Sequence, residues 1–341
     1  MRPVGCLERV IAPVNIQGNA YLITGGASLI GSHLADALLA AGAAEVRLLD
    51  NFALGSNEMI AHLLGDSRVK LIRGDILRLT DLLEASTDID GVFALAGFLT
   101  IPMLANPSLG VQVNTTGLLN TLEAARFAKV RRVVFSSSVA AYGNTEAETL
   151  HEDAPLTAAS LSPVSAVYGV SKLFGESLCR LYAQKFSLQF NALRFGSVYG
   201  ERQHTRAVNA NFIAETYGRI RKGERPVIIG DGREVHDYIH VSDIAAGCVA
   251  AMTSARHGEV MNLVTAVDST MTEVVHTVLR ICASSLEPEY RPDTRAVRSA
   301  GGTHLGFSRD KAKAVMGWVP RFNLEQGIRR YITWLESAQT T

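Results

Sequence analysis

Ala20-Tyr21-Leu22-Ile23-Thr24-Gly25-Gly26-Ala27-Ser28-Leu29-Ile30-Gly31-Ser32-His33-Leu34 joins a short apolar, β-rich run directly to a helical pattern through a glycine-rich turn. Glycine at the strand end permits the tight turn, and glycine at the helix start lets the helix lie close to the sheet. Past the turn, at Leu29 and Ile30, the helix N-terminus offers N–H groups that have no intrahelical partner and suit a pyrophosphate. A turn of this kind on its own can also be only a turn. Its surroundings raise the weight of the reading. Asp50 closes the next strand, about 20 residues beyond Gly31, where a carboxylate would accept from both hydroxyls of a ribose. The same charge would repel the extra phosphate of NADP, so the expected cofactor is NAD. Beside Asn51, Asp50 can also be read as a loop-capping aspartate. Asp75, in Arg73-Gly74-Asp75-Ile76, would suit an adenine amino group or a helix cap.

Outward from this turn the chain alternates strands and helices. Strands are expected at Ala20–Thr24, Glu45–Asp50, Val69–Arg73, Gly91–Ala96, Arg132–Ser137 and Gln189–Arg194. Helices are expected at Ser32–Ala41, Met59–Leu64, Leu109–Ala128 and Tyr168–Phe186. Strands this apolar on both faces, separated by helices, describe a parallel sheet covered on two sides. Right-handed crossovers then give an α/β fold, a Rossmann-type doubly wound parallel sheet with a smaller C-terminal substrate-binding lobe. Residues 1–18 read as an extension, 19–196 as the dinucleotide-binding domain with 237–268 returning to it, and 197–236 with 269–341 as the lobe. A helix at Asn209–Arg221, a strand at Val227–Ile229 and the prolines Pro288, Pro292 and Pro320 belong to that lobe.

The 341 residues are 47% hydrophobic and 19% charged, enough for a large core. Thirty-three basic side chains balance 33 acidic ones, so no overall field would draw nucleic acid or an anionic membrane. Cys6, Cys179, Cys248 and Cys282 lie far apart and form no CxxC, which favours buried thiols over disulfides or metal ligands. No apolar run approaches the roughly 18–20 residues that span a bilayer. The first residues lack the apolar stretch and cleavage site of a signal peptide. The expected location is the cytoplasm.

Tyr168-Gly169-Val170-Ser171-Lys172 sets two side chains at i and i+4, on one helical face. A free tyrosine titrates near ~10. An ammonium one turn away and a positive nicotinamide ring would both favour the phenolate and bring that pKa down. The phenolate could then take a hydroxyl proton while hydride leaves the same carbon. The bare spacing also fits an exposed helix pair, and Ser136-Ser137-Ser138 by itself fits a turn. Together, a serine at a strand end can hold the reacting oxygen while Tyr168 moves its proton.

The motifs TGGASLIGSHL, LLDNF, GDI, VNTTGLLNTLEAA, VVFSSSVAAYG, PVSAVYGVSKLFGE, LRFGSVYG, IIGDGREVHDYIHVSDIA and KAKAVMGWVP stand in order from about Asn19 to Leu335. In this the chain resembles the extended short-chain dehydrogenase/reductase family, in its NAD-dependent epimerase/dehydratase group. The resemblance implies a catalytic set Ser138, Tyr168 and Lys172, tightly held NAD, and a nucleotide-sugar substrate in the C-terminal lobe. It also implies a homodimer through the helices near Leu109–Ala128 and Tyr168–Phe186, stretches that ordinary core packing would equally explain. The cofactor set so expected is Gly25, Ser28, Leu29, Ile30, Gly31, Asp50, Asn51, Asp75, Ile76, Leu95, Ala96, Ser136, Tyr168 and Lys172. The substrate set is Ser138, Ser197, Arg233, His236 and Arg291.

Family dehydratases carry an Asp-Glu pair after the serine or threonine of this strand, and related decarboxylases a glutamate where Val139 stands. Valine transfers no proton, so C4 epimerisation of a nucleoside-diphosphate hexose is the favoured reaction. Oxidation or reduction of another alcohol is the alternative, and a cofactor-sensing protein without activity a third. Several positions depart from the family pattern. Ser28 replaces a glycine, and its hydroxyl could donate to a phosphate or cap the helix. Ala94 and Gly97 replace a histidine and an alanine. Ser197 stands for an asparagine, and His236 for an arginine that grips the diphosphate in relatives. Arg233 and Arg291 could compensate or be solvated surface charges. The wall around the sugar falls near Leu305.

Overall fold

The computed structural model describes residues 14–143, 147–154, 161–203, 208–293 and 305–338. Seven parallel strands form the central sheet: β1 (Ala20–Thr24), β2 (Glu45–Asp50), β3 (Val69–Arg73), β4 (Gly91–Ala94), β5 (Arg132–Ser138), β6 (Gln189–Phe195) and a late strand at Glu259–Leu263. Reading across the sheet, the late strand lies beside β6, followed by β5, β4, β1, β2 and β3. The order reverses between β1 and β4, and that crevice at the carboxyl ends of the strands is where a doubly wound sheet binds its ligand.

Helices cover both faces. The first are α1 (Leu29–Ala40), the short α2 (Asn57–Ile60) with a 3-10 turn after it, α3 (Leu79–Ala85), α4 (Thr100–Ala105), α5 (Pro107–Gln112) and α6 (Leu118–Phe127). The long α7 (Pro163–Phe186) then crosses to β6. Beyond it come β7 (Ser197–Tyr199), α8 (Val208–Arg221), β8 (Val227–Ile229), β9 (Val235–His236), β10 (Tyr238–His240) and α9 (Val241–Thr253). The late sheet strand is thus β11. It is followed by β12 (Ser269–Thr270), α10 (Met271–Ile281), β13 (Glu289–Arg291), α11 (Asp310–Met316) and α12 (Leu324–Ala338).

Alternate residues of the strands feed two cores. Tyr21, Ile23, Phe93 and Leu193 pack with α1 and α9 on one face. Leu22, Val92, Val133 and Ala192 pack with α3, α6 and α7 on the other. A third core, built of Tyr199, Ile213, Tyr217, Val274, Val278, Ile328 and Tyr331, binds α8, α10 and α12 to β7 and β10. Of the stretch read as an extension, Val14 and Ile16 are buried in the first core; residues 1–13, including Cys6, lie outside the described residues. Cys179 and Cys248 are buried free thiols, whereas Cys282 is half-buried at the end of α10. Among the described residues no helix is long and apolar enough to cross a membrane.

Several elements differ from expectation. Helix α1 begins at Leu29, earlier than Ser32, because Ser28 caps it. Helix α7 begins at Pro163, where Ser162 caps and proline supplies a pre-set first turn. Strand β4 stops at Ala94. The expected helix Leu109–Ala128 is interrupted by a π turn at Val113–Gly117 that separates α5 from α6.

Candidate active site

The glycine turn is held from below and in front. Gly25 has φ +71, and a Cβ on it would stand 3.1 Å from the Cα of Ala96, so the turn lies against the end of β4. A Cβ on Gly31 would stand 2.3 Å from the Gly25 carbonyl oxygen, closer than any side chain can come. Ser28 Oγ donates to that carbonyl at 2.6 Å and accepts from Gly31 N–H at 3.2 Å. In this arrangement its one proton is directed inside the turn, and Ser28 caps the helix. The Ser28 carbonyl takes the Ser32 N–H, which leaves the N–H groups of Leu29 and Ile30 as the open donors of the first turn.

Asp50 is buried and serves the same turn. Its Oδ2 accepts from Ala27 N–H at 3.0 Å and its Oδ1 from Phe52 N–H at 2.8 Å. Burial raises its pKa, against the pull of those two donors. The remaining lone pairs are those a ribose would use. Asn51 Nδ2 donates to Asp75 Oδ2 at 3.2 Å, and Asp75 Oδ1 accepts from Leu77 N–H at 2.9 Å. Ile76 is buried, its carbonyl held by Asn120 Nδ2 at 3.0 Å. Ala96 N–H donates to Thr24 Oγ1 at 3.2 Å, and the Leu95 N–H to the Phe93 carbonyl at 3.1 Å. The expected cofactor residues therefore line one continuous edge of the sheet, across the ends of β3, β2, β1, β4 and β5. A glycine turn closed by Ser28, open helix donors and a buried carboxylate suit a dinucleotide.

At the end of β5 the second group assembles. Ser138 Oγ accepts from Ala140 N–H at 3.1 Å, and its hydroxyl lies near enough to the Tyr168 side chain to favour the phenolate. Lys172 Nζ donates to the Ser136 carbonyl at 2.8 Å and stands 5.8 Å from the centre of the Tyr168 ring. Ser136 Oγ donates to the Ala94 carbonyl at 3.1 Å, joining β5 to β4. A Cβ on Gly169 would stand 2.5 Å from the Ala140 carbonyl oxygen, which shows how closely α7 abuts the turn after Ser138. Tyr168 and Lys172 are both buried. Burial pushes the Tyr168 phenol above its ordinary value, and the Ser138 hydroxyl offsets only part of this. The expected lowering by Lys172 is not found: the ammonium is turned to Ser136, and burial draws its own pKa down to about 8.

Asn114 was missed from the sequence. The π turn aims it at the loop after β4, where its Oδ1 accepts from Phe98 N–H at 2.7 Å. Its Nδ2 donates to the Phe98 carbonyl at 3.0 Å and to Ser171 Oγ at 3.1 Å. It fastens that loop to α7 between Tyr168 and Lys172. The signal available was a lone polar residue in an otherwise apolar helical face.

In the C-terminal region Ser197 Oγ and His236 Nδ1 meet at 3.3 Å, and His236 Nε2 lies 2.9 Å from Glu234 Oε1. His236 is buried between them. Arg233 is 84% exposed beside Asp231, and Arg291 is exposed beside Glu289. The fold brings Ser197 and His236 together but gives both arginines acidic neighbours of their own. Leu305 and Val139 pack with Tyr142, Leu150, Val264 and Phe307.

Residues 21–263 match the model of the NAD dependent epimerase/dehydratase family. The chain is 32% identical to UDP-glucose 4-epimerase of Azospirillum brasilense, over 93% of this chain and 92% of that protein. It is 28% identical to UDP-glucuronic acid decarboxylase 1 of Danio rerio, over 92% of this chain and 72% of that one. The UDP-glucose 4-epimerase of Thermus thermophilus, solved with NAD, is similar in structure with a TM-score of 0.80 at 30% identity, over 94% of this chain and 99% of that chain. This chain belongs to the NAD dependent epimerase/dehydratase family and is an NAD-dependent enzyme of the extended short-chain dehydrogenase/reductase type.

Proposed function

We propose that the enzyme is a nucleotide-sugar epimerase that inverts C4 of a nucleoside-diphosphate hexose. The observation that carries this reading is the Ser138–Tyr168–Lys172 arrangement followed by Val139, whose side chain lies in an apolar cluster. Elimination of water needs an acid beside the reacting carbon, and valine supplies none. Oxidation and reduction at one carbon need only a residue that takes and returns the hydroxyl proton.

Gly25, Leu29, Ile30, Gly31, Asp50, Asn51, Asp75, Ile76, Leu95 and Ala96 would hold NAD, with Ser136 and Lys172 at its nicotinamide end. When bound, NAD supplies reversible oxidation at the sugar carbon and a positive ring that favours the Tyr168 phenolate. Ser138 holds the reacting oxygen and Tyr168 moves its proton, while Lys172, held on the Ser136 carbonyl, braces the same face of α7. A sugar that turns over between the two proton transfers leaves with the opposite configuration and no net redox change. Ser197, His236, Arg233 and Arg291 are proposed for the substrate side, in a lobe formed by residues 197–236 and 269–341.

A second reading, oxidation of an alcohol that carries no nucleotide, is favoured by His236. Bound by Ser197 and Glu234, it offers a diphosphate less than a free guanidinium would. Incubation with UDP-glucose, UDP-N-acetylglucosamine and their C4 epimers separates the two. Interconversion that Tyr168→Phe abolishes supports epimerisation; NADH accumulation with an alcohol, without epimerisation, supports the second reading.

A homodimer is proposed on α5, α6 and α7. Val167, Val170, Phe174 and Leu181 recur at helical spacing on α7 and are exposed, and Val111, Leu119 and Phe127 are exposed on α5 and α6. Sedimentation of Phe174→Glu as a monomer, against a dimeric wild type, is the expected result.

A further inference from the structure

The face of α7 that bears Tyr168 carries a buried carboxylate that the chemistry does not use. Tyr168, Lys172 and Glu176 follow one another at one-turn spacing, and each meets one member of the serine triplet of β5. Tyr168 lies under the influence of the Ser138 hydroxyl, Lys172 Nζ donates to the Ser136 carbonyl, and Glu176 Oε1 accepts from Ser137 Oγ at 2.7 Å. Arg194, on the adjoining β6, closes on the same carboxylate from two sides. Its Nε donates to Oε1 at 2.8 Å and its Nη2 to Oε2 at 2.9 Å, with the two side chains only 2% and 1% exposed.

The other edge of this guanidinium reaches further. Its Nη1 donates to the Glu152 carbonyl at 3.2 Å, and the group lies 4.6 Å from the centre of the Tyr142 ring. The Tyr142 hydroxyl donates to Asn262 Oδ1 at 2.8 Å, and Asn262 N–H donates to Glu152 Oε1 at 2.8 Å. The contacts form a closed circuit from α7 through β6 to the 150–154 turn and β11.

A buried ion pair adds little net stability, because desolvating both charges offsets their attraction. A two-pronged arginine contact does fix geometry. We propose that Glu176 and Arg194 are positioning residues: clamped together on Ser137, they set the depth of the Tyr168–Lys172 face against β5 and tie that depth to the 150–154 turn. The inference rests on the proton-transfer role given to Tyr168 above. A small shift of α7 along β5 lengthens the Tyr168–Ser138 contact without exposing the phenol. Misplacement on the ångström scale slows reactions by up to about 100-fold.

Ser137→Ala cuts the link to the strand, and Arg194→Lys keeps the charge while breaking the two-pronged contact. Each is expected to lower kcat about tenfold, with wild-type KM and NAD affinity. The double variant is expected to be no slower than the slower single, since both changes cut one circuit. The ultraviolet titration of Tyr168, read as the difference between each protein and its Tyr168→Phe counterpart, is expected to move upward in both. Unchanged kcat in both singles, additive losses in the double, or a rise in KM alone would overturn the proposal. If Arg194→Lys does not fold, Ser137→Ala, which removes a single hydroxyl, decides the matter. If the wild type converts no nucleotide sugar, the epimerase reading falls, and an unmoved Tyr168 titration then sinks the positioning role separately.

Discussion

Lys172 Nζ donates to the Ser136 carbonyl across 2.8 Å in a setting so enclosed that burial alone draws the ammonium down to about 8. An unfolded lysine titrates near 10.5, so the unfolded chain holds a proton that the folded chain releases between about 8 and 10.5. This group's contribution to stability therefore rises with pH across that window, and below it the charge burdens the fold. Lys172→Met is expected to stabilise the ligand-free protein by about 2 kcal/mol at pH 7 while abolishing turnover. Urea unfolding at pH 7 and pH 10 checks it, the gain shrinking at the higher pH.

Ser28 divides structural from cofactor roles. With its hydroxyl bonded to Gly25 and Gly31, Ser28→Ala is expected to lower stability by about 1 kcal/mol and to leave NAD affinity within about threefold. A large loss of affinity with unchanged unfolding would reverse that assignment.

Gly31 admits no side chain. Gly31→Ala would force its Cβ away from the Gly25 carbonyl and so move the start of α1. NAD affinity is expected to fall at least about tenfold, because the Leu29 and Ile30 donors lose their aim. Fluorescence titration measures this, with circular dichroism verifying that the helices persist.

His33, Glu201 and His240 bind α1 to the end of β7 and the start of α9. Glu201 Oε2 lies 3.6 Å from His33 Nε2 and 3.2 Å from His240 Nε2, with Arg330 on Oε1. Burial lowers the His33 pKa despite the carboxylate. For Glu201 burial acts upward, but the two imidazoles together hold it below the usual carboxylate range. Both groups take up protons more readily when unfolded, so both contributions are full above pH 6.5 and shrink as pH falls, His33 first and Glu201 below about 4.5. His33→Gln is expected to lose less stability than wild type between pH 7 and 5.5. Equal losses in parallel urea titrations would exclude His33 as the source.

The β1–turn–α1 unit was legible because its determinants are local: apolar run, glycines and helix start lie within fifteen residues, Ala20 to Leu34. The spacing of Tyr168 and Lys172 placed them on one helical face, and the serine triplet gave that face its reading. The direction of the Tyr168 shift was not, because burial by β5 and the turn after it is a property of packing that spacing does not contain. Ser197 and His236 were singled out separately. Their contact follows from β7 pairing with β10, Ser197 against Tyr238, a register made by distant parts of the chain. Arg194 escaped notice for the same reason, although Glu176 stands one turn beyond Lys172.

The π turn at Val113–Gly117 has a consequence for how this helix tolerates change in length. It stores one residue more than a regular helix would, and each residue turns the helix by about 100°. Deleting one residue there would let α5 run straight into α6 and would rotate one half against the other by that angle. Either Asn114 would swing off Phe98 and Ser171, or Leu118 and Leu122 would swing out of the core. The extra residue acts as a phase offset, letting a single rod meet two surfaces of different bearing. Insertions and deletions should therefore be accepted in the loops on either side long before they are accepted in these five residues.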